Sequence, residues 1–358
     1  MVIVNNEVLN FTFKYDKLGK LDPFYELVTD CFPKIAYSVL KQEKEFNCEW
    51  FWNSMVNGLL LATIRDCSKS FYDFQPIYIP WNNYINFVEI DTIDNPILCL
   101  EETINKNGYA IVQTITPLIE FISYYDPNFN SDNYKPGHAF LLLHYDNDYY
   151  YYHQDESIIN YSNYTPLDLN KEIGIIHRSK LDVLFNKMLY IYTIVLNNSD
   201  MANSYEKILN LIKKYSLSYF NKSNEIKNSL NTSYGHRAIK NLRNNFGKEV
   251  DLTEISKAYP FVKLGNVLVW RFSSARNSRR ILNIWLKDHL KLSDSGLKME
   301  LNELLDNICT LWGQLTNKVL KESIKQNKSL NIYNDLHLVL LAEDGFVRLL
   351  KNEVYKII

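Results

Sequence analysis

The hydrophobic period changes once along this chain, and that change constrains the fold more than any other feature. Up to Leu196 the apolar residues gather in short strand-like runs: PIYIP (76–80), NFVEID (86–91), YAIVQTI (109–115), GHAFLLLHYDNDYYYYHQD (137–155) and MLYIYTIVL (188–196). After NNSD at 197–200 the beat is helical. Ile208, Leu211, Ile212 and Tyr215 share one face, and Leu301, Leu304, Leu305, Ile308, Leu311, Trp312, Leu315 and Val319 make one sustained stripe. A last helix is predicted over DLHLVLLAEDGFVRLLKNEVYKI. The break predicts an α+β domain over 1–198 and an all-helical domain over 199–358, with NSLNTSYG at 228–235 as a second linker candidate. A length of 358 residues also suits two cores better than one.

Within the first part, DCFPKIAYSVLKQ from Asp30 places Phe32, Ile35, Ala36, Val39 and Leu40 on one helical face. Asp30 is a natural N-cap and Pro33 is tolerated in a first turn, so this helix is expected to start at or beside Cys31. Further helices are expected around 50–64 and 97–107.

Charge and cysteine content exclude several classes. With 39 basic and 41 acidic side chains the formal net charge is −2, so nothing at whole-chain level attracts nucleic acid or an anionic membrane. No apolar run reaches the ~18 residues of a bilayer span, and the start lacks a leader's basic and apolar regions. The five cysteines are odd in number, widely spaced and without a C-x-x-C pair, which predicts a reduced, cytoplasmic setting with no metal centre.

The hairpin carries the first chemical signal. A two-residue turn at Asp146 and Asn147 pairs Tyr145 with Asp148 and places His138 across from Asp155, within hydrogen-bonding reach. A four-residue turn keeps the same faces, whereas a one-residue shift sends Asp155 to the other face. In this register His153 lies opposite Phe140 and reads as part of the sheet. His138 and His144 are six residues apart, about 20 Å along a strand, too far for one metal ion.

An imidazole held by a carboxylate activates a nucleophile, and Cys31 is the best candidate. A thiol at a helix start meets unpaired N–H groups that favour thiolate, although the charge of Asp30 opposes this unless it caps the helix. Those N–H groups also suit an oxyanion hole. Cys67 is the runner-up nucleophile, while Cys48, Cys99 and Cys309 sit in apolar stretches and read as core. WRFSSARNSRRIL gathers Arg271, Arg276, Arg279 and Arg280, which reads either as a solvated helix face or as a docking site for an acidic partner or phosphate.

The order Cys31, His138, Asp155 resembles the papain-like cysteine peptidase fold. YAIVQTITPLIEFISYYDPNFNSDNYKPGHAFLLLHYDNDYYYYHQD is similar to the butirosin biosynthesis protein H family, and YGHRAIKNLRNNF and RNSRRILNIWLKDHL are similar to the helical region that follows in that family. The resemblance implies a papain-like catalytic domain followed by a helical one. It implies acyl transfer in secondary-metabolite, nonribosomal-peptide-like biosynthesis: a phosphopantetheine-linked acyl group leaves a carrier-protein thioester, rests on Cys31 and is captured by a small amine or diamine. His138 is then base and acid, and Asp155 its orienter. No cofactor is bound. Partners are an acyl or peptidyl carrier protein and an amine, and self-association into a homo-oligomer stays open. FYELVTD at 24–30 lacks the glutamine or asparagine often found before the cysteine, so the oxyanion donors are sought in the Cys31 backbone, Gln113, Tyr25 or Thr29. Hydrolysis by a peptidase or amidase, and a non-catalytic binding protein on the same fold, are the competing readings.

Overall fold

The computed structural model describes Cys31, Ile35 and Val39, then 62–68, 71–76, 85–87, 95–122, 125–126, 137–153, 166–167, 170–185, 188–192, 194–196, positions between 209 and 220, 235–245, 249–253, 266–289 and 295–354. Tyr25, Thr29, Asp30, Cys48 and Asp155 lie outside the described residues. The chain divides into two compact units: one holds Met1–Glu26, Asp30–Phe46 and Trp81–Asn198, the other Leu27–Thr29, Asn47–Pro80 and Ser199–Ile358.

Helix and strand are mixed as α+β, and the strands do not stop at Leu196. The second unit includes the hairpin of β1 (Ala62–Ser68) and β2 (Phe71–Pro76), so 62–64 are strand where the apolar pattern suggested a helix. Thr63 and Ile64 are β-branched, which favours the extended backbone. In the first unit, β3 (Ile85–Phe87) pairs with a late strand, and α1 (Pro96–Asn107) follows. The Asn95 side chain caps α1 by accepting from the Leu98 amide at 3.1 Å, and Pro96 takes the first position, where no amide is missed. Gly108, at φ 77°, ends it in the left-handed conformation with its N–H on the Ile104 carbonyl at 2.7 Å.

The core of this unit is a six-stranded antiparallel sheet. It comprises β4 (Ala110–Ile115), β5 (Gly137–Tyr145), β6 (Tyr149–His153), β7 (Pro166–Leu167), β8 (Asn170–His177) and β9 (Met188–Tyr192), in the order β7-β8-β6-β5-β4-β9. MLYIYTIVL is therefore broken: β9 joins this sheet, and β10 (Ile194–Leu196) pairs with β3. Helix α2 (Arg178–Phe185) follows β8.

Strict alternation splits the sheet residues between two faces. Val112, Phe140, Leu142, Tyr150 and Tyr152 pack with Leu100 and Ile104 of α1. Ile111, Ala139, Leu141, Leu143, Tyr151 and Ile173 pack with Ile35, Val39 and Cys31. Each face is thus covered, which explains why β5 is apolar on both sides.

The β5–β6 turn is built on Asp146. Its Oδ1 accepts the amides of Asp148 at 2.8 Å and Tyr149 at 2.7 Å, and its Oδ2 accepts the Tyr151 hydroxyl at 2.7 Å. Partial burial pushes this carboxyl up, but the hydrogen bonds from Tyr151, Asp148 and Tyr149 outweigh it and hold the group below its ordinary value. Arg178 donates to the Asp146 carbonyl at 2.6 Å and pairs with Glu101 of α1, which also accepts the Tyr150 hydroxyl at 2.9 Å. The turn is tied to two helices, so its register is fixed.

That register differs from the regular one. Tyr145 pairs with Tyr150 and His144 with Tyr151, a bulge lies between Leu142 and His144, and beyond it Leu142 pairs with Tyr152 and Leu141 with His153. One extra residue on β5 flips every later pairing by one position. His153 is therefore opposite Leu141 and not Phe140.

The second unit is carried by α3 (Gly235–Asn245), α4 (Asn266–His289), α5 (Ser295–Ile324) and α6 (Tyr333–Val354), with a two-residue ladder between β11 (Val250–Asp251) and β12 (Ser329–Leu330). The buried stripe of α5 is Leu301, Leu305, Ile308, Trp312, Leu315 and Val319. No helix among the described residues is long and apolar enough to cross a membrane.

Candidate functional site

Cys31, Ile35 and Val39 lie one helical turn apart in a single i, i+4, i+8 row, and the last two are buried against the sheet. The row that anchors the helix therefore delivers the Cys31 side chain to the sheet as well. Its Sγ accepts the Ala139 amide N–H at 3.4 Å. That nitrogen is bonded to the His138 carbonyl carbon, so the sulfur lies within about 6 Å of the His138 Cα. Two residues 107 apart in the sequence, Cys31 and His138, meet at one peptide bond.

Cys31 packs on the sheet face of Ala139 and Leu141 while its sulfur accepts the Ala139 amide N–H. Described pairing of β6 with β5 ends at Leu141 and His153, two residues short of Ala139. On the other side, Ala139 is paired with Gln113 and His138 with Thr114 of β4. His138 is buried and Cys31 half-buried, an arrangement that keeps the imidazole out of bulk water while leaving the thiol accessible.

Gln113 belongs to the same place. It is the half-buried residue in an otherwise buried β4, beside a bulge in the β4–β9 ladder between Gln113 and Thr114. A Cβ on Gly137 would stand 2.4 Å from the Gln113 Nε2. The amide of Gln113 thus occupies the space that glycine leaves, beside Ala139, whose own amide touches the thiol.

The other sequence candidates are not brought to this point as one group. Asp155, Tyr25 and Thr29 lie outside the described residues. The regular ladder that set His138 across from Asp155 is not the observed one, because the bulge shifts it. Cys67 lies in β1 of the other unit. Burial, with Glu102 adding to it, raises the Cys99 thiol against the hydrogen bond of Thr103, and burial first, then nearby carboxylates, pushes Cys309 up to about 12. Cys309 behaves as a core thiol, whereas Cys99 is half-buried and is not the core residue the sequence suggested.

The arginine cluster is not one solvent-facing patch. Arg279 is buried, donating to the Glu343 carboxylate at 2.7 Å, and the same oxygen accepts the Trp312 indole N–H at 2.9 Å. Arg271 is buried too, Arg276 lies against Gly313, and Arg280 is the exposed member. Among the described residues no group of three or more His, Cys, Asp or Glu side chains is placed to hold a metal ion.

Sequence reasoning passed over His153. It is buried, and its ladder partners Leu141 and Ile173 both belong to the face that packs against Cys31. A parity count through Tyr149–Tyr152 has no polar residue to mark a face, so only the bulge reveals the placement.

Neither a protein-family model nor a curated protein matches this chain.

Proposed function

We propose that the first unit is a papain-like cysteine acyltransferase that forms amide bonds in the cytoplasm, in secondary-metabolite biosynthesis. The observation that carries this reading is the Cys31 sulfur held at 3.4 Å on the Ala139 amide, beside His138. A donor N–H on sulfur favours the thiolate over the thiol, and the proton it loses is assigned to the imidazole of His138, the residue bonded to that amide.

The substrate class is an acyl thioester on the phosphopantetheine arm of a carrier protein. The Cys31 thiolate attacks the carbonyl carbon, the bond to the pantetheine sulfur breaks, and the His138 imidazolium returns the proton to that leaving thiolate. The Gln113 side-chain amide donates to the developing oxyanion. An amine then attacks the acyl-cysteine, a C–N bond forms as the amine's surplus proton passes to a base of the protein, the C–S bond breaks and Cys31 leaves as thiolate. Asp155, whose pairing with His138 rested on the regular ladder, carries no step in this scheme, and Arg280, exposed in the second unit, is the member of its cluster available to a carrier's acidic surface. No bound cofactor takes part.

The test is intact-protein mass spectrometry after incubation with an acyl N-acetylcysteamine thioester, comparing wild type with Cys31→Ala. An acyl adduct is expected on wild type alone, and an equal adduct on the variant removes Cys31 from the reaction. Added amines then decide between amide product and free acid, and dominant acid makes the protein a hydrolase. Peptide mapping after brief iodoacetamide treatment at neutral pH should find Cys31 labelled and Cys309 untouched, since the latter's thiol is pushed up to about 12.

A further inference from the structure

We infer that His153 is the base for the second half of the reaction, accepting the proton of the attacking amine; this rests on the acyltransferase reading above. The pleat sends His138 toward the face of Phe140 and Leu142 and His153 toward the face of Leu141 and Tyr151. Cys31 packs on the second of these faces while its sulfur accepts the Ala139 amide. An acyl group on that sulfur consequently shares its face of the sheet with His153.

His153 is two residues along the ladder from Ala139: it pairs with Leu141, and diagonal neighbours on one face stand about 7–8 Å apart. A ring from that distance reaches an atom bound beside the thioester more readily than the sulfur itself. The group it meets is the acceptor nitrogen. As the amine nitrogen bonds to the acyl carbon, its surplus proton passes to the His153 imidazole, the C–S bond breaks and Cys31 departs as thiolate. Before the next cycle the His153 imidazolium gives its proton to solvent and His138, left neutral by acylation, takes one up, which restores the thiolate–imidazolium pair. Splitting the two proton transfers between two histidines also suits the order of events, because the donor thiol and the acceptor amine need not share one side.

The β5 bulge is what makes this geometry. Without it, the Tyr145–Tyr150 register would set His153 opposite Leu142 on the far face, where it has no path to the acyl group.

The experiment separates acylation from aminolysis in single turnover, using an acyl N-acetylcysteamine thioester and then a primary amine. His153→Gln and His153→Ala are expected to acylate Cys31 at the wild-type rate and to lose about 10²-fold or more in aminolysis. Free imidazole should restore aminolysis to His153→Ala, which a packing role does not predict. His138→Gln is expected to fail in acylation itself. Unchanged aminolysis in both His153 variants, loss of acylation in both, or no rescue by imidazole overturns the assignment. Absence of an acyl adduct on wild type overturns the acyltransferase reading and this inference with it, a result the variants cannot mimic.

Discussion

Replacing Gly137 by alanine tests the oxyanion role proposed for Gln113 without substituting that residue. The new Cβ would stand 2.4 Å from the Gln113 Nε2, 3.1 Å from its Cδ and 3.2 Å from its Cγ. Optimal contact is about 3.5–4.0 Å, so the amide end overlaps by roughly 1 Å and must move, while the inner carbons need only a few tenths. The obstructing atom is the end of a flexible side chain and not backbone, so the fold itself is not strained. Turning Gln113 off its rotamer costs about 0.5–1.5 kcal/mol. Gly137 is not among the positive-φ glycines, so alanine there regains about 0.4–1 kcal/mol by restricting the unfolded chain. The two terms nearly cancel.

Stability should therefore stay within about 1 kcal/mol of wild type. Catalysis should not, because removing one oxyanion donor costs about 10²–10³-fold. Urea unfolding measures the first, and single-turnover acylation of Cys31 the second. Gln113→Ala should reproduce the loss, and the double variant should add little to it. If Gly137→Ala acylates within threefold of wild type while Gln113→Ala does not, the amide survives displacement. If both acylate normally, Gln113 is no donor and the reasoning fails.

Two further perturbations test the framework. Glu343→Gln leaves the buried Arg279 guanidinium without a counter-charge and should cost about 3–5 kcal/mol in urea unfolding; a loss under 1 kcal/mol would mean that Arg279 finds another partner. The Asp146 carboxyl lies below its ordinary value when folded, so its stabilisation is present above the unfolded pKa and is lost as pH falls through the folded one. Asp146→Asn should accordingly melt below wild type at pH 7, with the gap narrowing as the pH falls below the ordinary aspartate range of about 4, and a gap independent of pH would assign the effect to turn geometry alone.

What could be read from the sequence followed from signals that repeat. The row Cys31, Ile35, Val39 is visible because a helix must return an apolar residue every three or four positions, and that row sets the thiol on the sheet. The strands 110–115 and 137–145 show themselves by length and density of apolar residues, and α1 by Asn95, Pro96 and Gly108 at its ends. The hairpin 62–76 was hidden because its first residues continue an apolar run that no glycine or proline interrupts.

The register of β5 against β6 was hidden for a different reason. In a half-exposed hairpin, polar residues on the solvent face reveal a slip of one position. Here both faces are buried, and Phe140–Leu143 meets Tyr150–Tyr152 with apolar side chains everywhere. Shifting one strand by a residue exchanges leucine for leucine and tyrosine for tyrosine, so the hydrophobic pattern is blind to it. The decisive interactions lie at the turn: Asp146 takes two amides and the Tyr151 hydroxyl, which fixes Tyr145 on Tyr150, and the bulge at Leu142–His144 then carries the ladder into its other phase. The turn and the bulge together thereby set which face His153 takes. Function in such a sheet depends on parity, and parity is what a doubly buried strand pair conceals.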